Sequence, residues 1–195
     1  MNNLAKIGGN NPPSALDTAR DTLSDLVQNA LEAGATRVEL DVYTGPDKVS
    51  ARVTDNGKGM DEATLAQAVE PFYSEAGKHD HRRVGLGLPL LYQTAQAVNG
   101  TVDLRSTPGQ GTTVAFALDA KHLDTPPLGD LAATVLGLMT FRGDYDLVLT
   151  RKTPTSGYSV SRRELTDALG DLSEASNLVL ARDFLESQES SITEE

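Results

Sequence analysis

The chain contains no cysteine and no tryptophan, and aromatic residues make up only 5% of it. Without cysteine there are no disulfides and no thiolate metal sites, and a cytoplasmic protein is expected. No apolar run approaches the roughly 18 residues that a membrane-spanning helix needs, so no membrane contact is expected either. The opening stretch, Met1 to Ala15, is rich in Asn, Gly and Pro and lacks an apolar core, which excludes the pattern of a signal peptide. Cations are scarce as well: 17 Lys and Arg stand against 28 Asp and Glu, a formal net charge of −11. Nucleic-acid recognition needs clustered Lys and Arg on phosphates, so free nucleic acid is not an expected partner, whereas a basic protein surface is compatible. What the chain does have is an interior. Apolar residues make up 38% of 195 positions, enough for one ordinary core or one domain with an appendage.

From Leu16 to Leu31 the apolar residues recur at helical spacing, and Gly34 follows as a helix-ending glycine. Arg37 to Tyr43 and Val49 to Asp55 alternate as strands around the turn Gly45-Pro46-Asp47. Asp61 is placed to cap a short helix reaching about Val69, and Ser74 to Arg83 is polar and poor in apolar anchors. Leu88 to Val98 reads as a second long helix closed by Asn99-Gly100, before two strands at Thr101 to Ser106 and Thr112 to Leu118. Helices mixed with largely antiparallel strands predict an α+β fold, a two-layer sandwich. A boundary is expected near Asp119 to Pro127, dividing residues 1–119 from a smaller α+β extension, 120–195. In that extension Leu128 to Phe141 reads as a helix and Tyr145 to Thr150 with Gly157 to Val160 as a hairpin. Ser161-Arg162-Arg163-Glu164 has the form of a capping box, and the acidic, Ser-rich end reads as a frayed tail.

Four patches carry chemistry. Asp25 and Asn29 stand four apart on the first helix and project from one face, away from the apolar stripe. A carboxamide oxygen there suits Mg²⁺, a hard cation, and a carboxylate one turn earlier suits a general base. Asp55-Asn56-Gly57-Lys58-Gly59-Met60 follows a strand directly. A buried carboxylate can accept from the amino group of adenine, and glycines let base and backbone come close. Arg83-Val84-Gly85-Leu86-Gly87-Leu88 opens a helix, where bare N–H groups can face phosphates, with Lys78, Arg82 and Arg83 as nearby cations. Gly109-Gln110-Gly111-Thr112-Thr113 turns into an apolar strand. Read singly, each patch also serves as a solvated helix face, a polar turn, a cap or a hairpin.

Taken in order, with Glu70-Pro71-Phe72-Tyr73 between the second and third, these patches resemble the N, G1, F, G2 and G3 boxes of the GHKL superfamily. That superfamily includes histidine kinases, mismatch-repair ATPases of the MutL type, gyrases and chaperone ATPases. The resemblance covers about residues 16 to 118. The glycine boxes and lid are closest to sensor kinases, while Asn29 to Thr36 is as similar to MutL. It implies the Bergerat ATP-binding fold with ATP and Mg²⁺ as cofactors. Asn29 would hold the metal and Asp55 the adenine amino group, while Gly57, Gly59 and Met60 would shape the base pocket. Val84, Gly85, Leu86, Gly87 and Leu88 would wrap the phosphates with Lys78, Arg82 and Arg83. Thr113 would support a water beside adenine, and Ser74 to Arg83 would be a mobile lid. Three residues depart from the pattern. Arg83 replaces a glycine, Pro89 removes an N–H, and Asp25, the candidate catalytic residue, replaces the longer glutamate of hydrolysing relatives.

The first helix opens at Leu16, which leaves too little chain before it for the phosphoacceptor helix of a sensor kinase. His79 and His81 read as surface residues. His122-Leu123-Asp124-Thr125-Pro126-Pro127-Leu128 echoes a phosphoacceptor motif at a predicted helix start, but reads as a domain-linking turn. The resemblance thus implies an ATP-binding protein of histidine-kinase type that phosphorylates or regulates a separate protein. A MutL-like conformational ATPase and a non-catalytic ATP or ADP sensor are the alternatives. Residues 120–195 are the expected place for partner contacts or homodimer formation.

Overall fold

The computed structural model describes residues 15–69 and 87–192. The striped helix is α1 (Ala15–Glu32), with Leu23, Leu26, Val27 and Ala30 buried. In β1 (Arg37–Thr44), Val38, Leu40 and Val42 are buried while Arg37, Glu39 and Asp41 stay exposed. That period of two gives the strand one covered and one open face. Gly45 N donates to the Lys48 carbonyl at 2.9 Å to close the turn, and β2 (Lys48–Asp55) returns antiparallel with Val38 opposite Asp55. Asp61 caps α2 (Glu62–Gln67), accepting from Thr64 N at 2.8 Å. After α3 (Gly87–Ala97), β3 (Thr101–Thr107) and β4 (Gly111–Asp119) form the second hairpin. The chain continues through α4 (Leu131–Met139), β5 (Asp146–Lys152), β6 (Gly157–Ser161), α5 (Arg162–Leu169) and α6 (Ala175–Ser191).

The strands build one six-stranded sheet in the order β3-β4-β2-β1-β5-β6. Neighbours are antiparallel except β1 and β5, which run parallel with Val38 beside Leu147. Leu23 and Val27 of α1, Leu91 and Ala95 of α3, and Val135 and Met139 of α4 pack on the covered face. There they join Leu40, Val53, Phe116, Leu147 and Leu149 in one apolar cluster. This is the α+β two-layer sandwich that the strand and helix periods predict. Because β5 pairs with β1, the chain beyond Asp119 completes the same sheet and the same core. Among the described residues no helix is long and apolar enough to cross a membrane.

The capping box forms as expected, with Glu164 N donating to Ser161 Oγ at 3.1 Å and Ser161 N to the Glu164 carboxylate at 2.7 Å. Two expectations are corrected. α4 is shorter than Leu128 to Phe141, because Asp130 caps it by accepting from Ala133 N at 2.8 Å. His122 therefore starts no helix. It lies in a turn, where its Nδ1 accepts from Asp124 N at 3.2 Å. The acidic end, in turn, is helical as far as Ser191: α6 runs to that residue with Ala181 and Leu185 fully buried, and residues 193–195 lie outside the described residues. Glu189 holds its last turn, accepting from the Tyr158 hydroxyl at 2.6 Å and from Arg151 Nε at 3.5 Å. Composition misses this because a helix needs only one apolar stripe, and its acids and serines can face water.

Candidate functional site

Asp55 ends β2 on the covered face, in line with Ala51 and Val53. It is half-buried, and its Oδ1 accepts from Gly57 N at 2.7 Å. A second backbone N–H, from Thr112, also reaches the carboxylate. Burial nonetheless outweighs both and pushes the Asp55 carboxyl above the ordinary carboxylate range. Such a group is an acceptor short of partners for its charge, which suits a ligand that brings a hydrogen-bond donor.

Glycine is required at two points around it. Gly59 has φ +66°, and a Cβ there would meet the Thr107 carbonyl oxygen at 2.0 Å. Gly111 has φ +104°, and a Cβ would meet the Asp55 carbonyl oxygen at 1.9 Å. The loop after β2 is thus pressed backbone to backbone on the β3–β4 turn, in a conformation open to glycine and costly to other residues. Polar bonds lock the two together. Gly109 N donates to the Lys58 carbonyl at 2.7 Å, and Met60 N to Ser106 Oγ at 2.8 Å. Ser106 Oγ donates in turn to the Gly111 carbonyl at 3.0 Å and shares a bond with Thr112 Oγ1 at 2.9 Å. Asp55, Gly57, Gly59 and Met60 therefore form one rigid floor.

Thr113 does not join them. It stands opposite Thr54 in the ladder and its hydroxyl donates to Thr54 Oγ1 at 3.3 Å, on the open face of the sheet. Asp55 and Thr112 each sit one residue away and so point to the covered face. The structure brings Thr112 to Asp55 and sets Thr113 on the opposite face. The signal was available. Val114, Phe116 and Leu118 set the inward parity of β4, and Thr112 shares it. Ser106 was missed for a different reason, since only the β3–β4 register carries it to Thr112.

The second wall is built from α1 and α3. Asp25 is half-buried and Asn29 exposed, one turn apart on α1. Gly87, the first residue of α3, lies against Asp25: a Cβ on it would stand 3.0 Å from both the Asp25 Cβ and Oδ2. The fold therefore sets Gly87, at the start of α3, beside the Asp25 side chain of α1. Lys78, Arg82, Arg83, Val84, Gly85 and Leu86, together with Glu70 to Tyr73, lie outside the described residues. An open concavity of about 490 Å³ follows the β5–β6 hairpin around Arg151 and Tyr158. It lies at the far edge of the sheet and contributes nothing to the floor at Asp55. Among the described residues no group of three or more His, Cys, Asp or Glu is placed to hold a metal ion.

A family profile described as histidine kinase-, DNA gyrase B- and HSP90-like ATPase matches residues 15–122. Sensor histidine kinase YxdK of Bacillus subtilis is 32% identical over 103 residues, covering 51% of this chain and 32% of that protein. Sensor protein kinase FleS of Pseudomonas aeruginosa is 39% identical over 104 residues, covering 52% of this chain and 25% of that one. The chain thus spans about a third or less of these relatives. The crystal structure of full-length ShkA in complex with AMPPNP is 26% identical, with a TM-score of 0.42. That match covers 51% of this chain and 21% of ShkA.

Proposed function

The chain belongs to the family of histidine kinase-, DNA gyrase B- and HSP90-like ATPases, and on that premise we propose that it holds ATP with Mg²⁺ and acts on, or regulates through its nucleotide state, a separate protein. The domain over residues 15–122 is of histidine-kinase type. Asp55 accepts from the adenine amino group, in a pocket floored by Gly57, Gly59 and Met60 with Thr112 beside them. The N–H groups of Gly87 and Leu88 face phosphate oxygens at the positive end of α3, and Val84, Gly85 and Leu86 continue that wrap. Lys78, Arg82 and Arg83 add cations. Asn29 would supply a protein oxygen to Mg²⁺, which would offset phosphate charge. Asp25 orients or deprotonates the hydroxyl or imidazole that receives the phosphoryl group. Bound ATP supplies that group, and the residues named here bind, orient and take up the proton.

The observation that carries this reading is the meeting of Asp25 with Gly87. It sets the candidate base against the helix end that would face the phosphates, in the helix layer that covers the sheet face carrying the desolvated Asp55. Aspartate is one methylene shorter than glutamate, which disfavours direct activation of water and favours a bulkier nucleophile brought by a partner. The test is to incubate the purified protein with γ-labelled ATP and Mg²⁺, alone and with proteins that co-purify, and follow the label. Slow phosphate release alone and a labelled partner are expected. Rapid release without a partner would replace this reading by a conformational ATPase, and failure to bind nucleotide would overturn it altogether.

A further inference from the structure

We infer that Asn56 is a positioning residue for the nucleotide site, a clamp that presets the Asp55 carboxylate against helix α1. This rests on the ATP-binding reading above. Asn56 is exposed, yet its carboxamide is spent on protein partners. Its Oδ1 accepts from two successive amides, Thr36 N and Arg37 N, each at 2.9 Å. Its Nδ2 donates to Thr36 Oγ1 at 3.0 Å, and its own N–H donates to the Arg37 carbonyl at 3.3 Å. One side chain thus staples the loop after β2 to the turn between α1 and β1.

The staple sits between the two residues that matter most. Asp55 precedes it, and Gly57, whose N–H holds Asp55 Oδ1, follows it. Gly57 and Lys58 are themselves seated on the end of α1. A Cβ on Gly57 would stand 3.0 Å from the Ala33 Cβ and carbonyl oxygen, and Lys58 N donates to that same carbonyl at 2.9 Å. Because α1 also carries Asp25 and Asn29, the staple holds the base end and the phosphate end of the site in one register. The turn it grips is fixed from the far side too. Asp146 N donates to the Thr36 carbonyl at 2.9 Å, and Asp146 Oδ1 accepts from Arg163 N at 3.0 Å at the start of α5. Without the Asn56 side chain, only the backbone bonds of Asn56 and Lys58 tie the Gly57 amide to this frame, and the Asp55 carboxylate is aimed less firmly. Preorganisation of that kind is read out as affinity for the ligand group it aims at.

The test uses the full chain, with Asn56→Ala and Asn56→Asp, and measures dissociation constants for ATP and for GTP beside thermal unfolding. Guanine carries a carbonyl oxygen where adenine has the amino group that Asp55 reads, so an aimed carboxylate favours ATP and gives GTP no bond, and the ratio of the two affinities reports the aim. Asn56→Ala is expected to weaken ATP about tenfold, one lost hydrogen bond's worth, with GTP nearly unchanged. Asn56→Asp keeps the oxygen that both amides use and is expected to restore the preference for ATP. A wild-type ratio of ATP to GTP affinity in Asn56→Ala, with only a lower unfolding temperature, would make Asn56 an ordinary turn residue. If Asn56→Ala does not fold, Asn56→Asp decides: a folded variant that has lost the ATP preference overturns the clamp. Wild-type protein that binds neither nucleotide would instead overturn the ATP-binding reading.

Discussion

Asp55→Asn separates binding from stability. The wild-type carboxylate is acceptor-only and already takes two backbone N–H groups, with Gly57 N on Oδ1 at 2.7 Å. The amide keeps one oxygen and turns the other into a donor. If the oxygen stays on Gly57, the new NH₂ meets the adenine amino group donor to donor; if it turns to adenine, Gly57 N loses its partner. Either way a charge-assisted bond is lost, worth about 1.5–3 kcal/mol, so ATP should bind about 10- to 150-fold more weakly. Stability should move the other way or not at all. Burial pushes the wild-type carboxyl toward its neutral form despite those two hydrogen bonds, and the amide is neutral already. Isothermal titration with ATP and Mg²⁺ reads the first quantity and chemical denaturation the second. Binding within about threefold of wild type, in a variant that is folded, would remove Asp55 from the site, since even the weakest such bond predicts more.

The raised Asp55 carboxyl also sets a pH dependence: once protonated it stops accepting, so ATP affinity should fall with acid earlier than an ordinary carboxylate allows. Its stability effect has the opposite sign, because between the unfolded and the raised folded pKa the native state binds more protons, and stability rises as pH falls through that window. A titration of affinity against pH that stays flat until the ordinary carboxylate range, or the same profile in Asp55→Asn, would refute this. Gly59→Ala forces a Cβ to within 2.0 Å of the Thr107 carbonyl oxygen at a positive φ. It should cost about 3 kcal/mol or more and abolish nucleotide binding; a stable variant that binds ATP normally would show that the loop yields. Glu189→Ala removes the carboxylate that accepts from the Tyr158 hydroxyl and pairs with the Arg151 guanidinium, 3% exposed. A loss of about 3 kcal/mol is expected in urea unfolding, and a change below about 0.5 kcal/mol would mean the pair contributes little.

Local order was legible in the sequence wherever local physics decides it. The stripe of α1, the alternation of β1 and β2, the Asp61 cap and the Ser161 capping box all depend on residues a few positions apart. The order of the glycine patches likewise pointed to the family before any contact was known, because each patch carries its chemistry on neighbouring residues. What only the tertiary structure decided involves long separations in the chain. The parallel pairing of β5 with β1 brings residues beyond Asp119 into the sheet and core, and no local period encodes which strand lies beside which. Thr112 stands on Asp55's face instead of Thr113 because the β2–β4 register fixes the parity. α6 stays helical to Ser191 because Leu185 finds the core and Glu189 finds Arg151 and Tyr158. The closeness of Asp25 to Gly87, and of Asn56 to Thr36, exists only once two helices and two loops pack on one sheet. A sequence specifies such neighbours through the energy of the whole packed layer, and that sum cannot be read from any single stretch of chain.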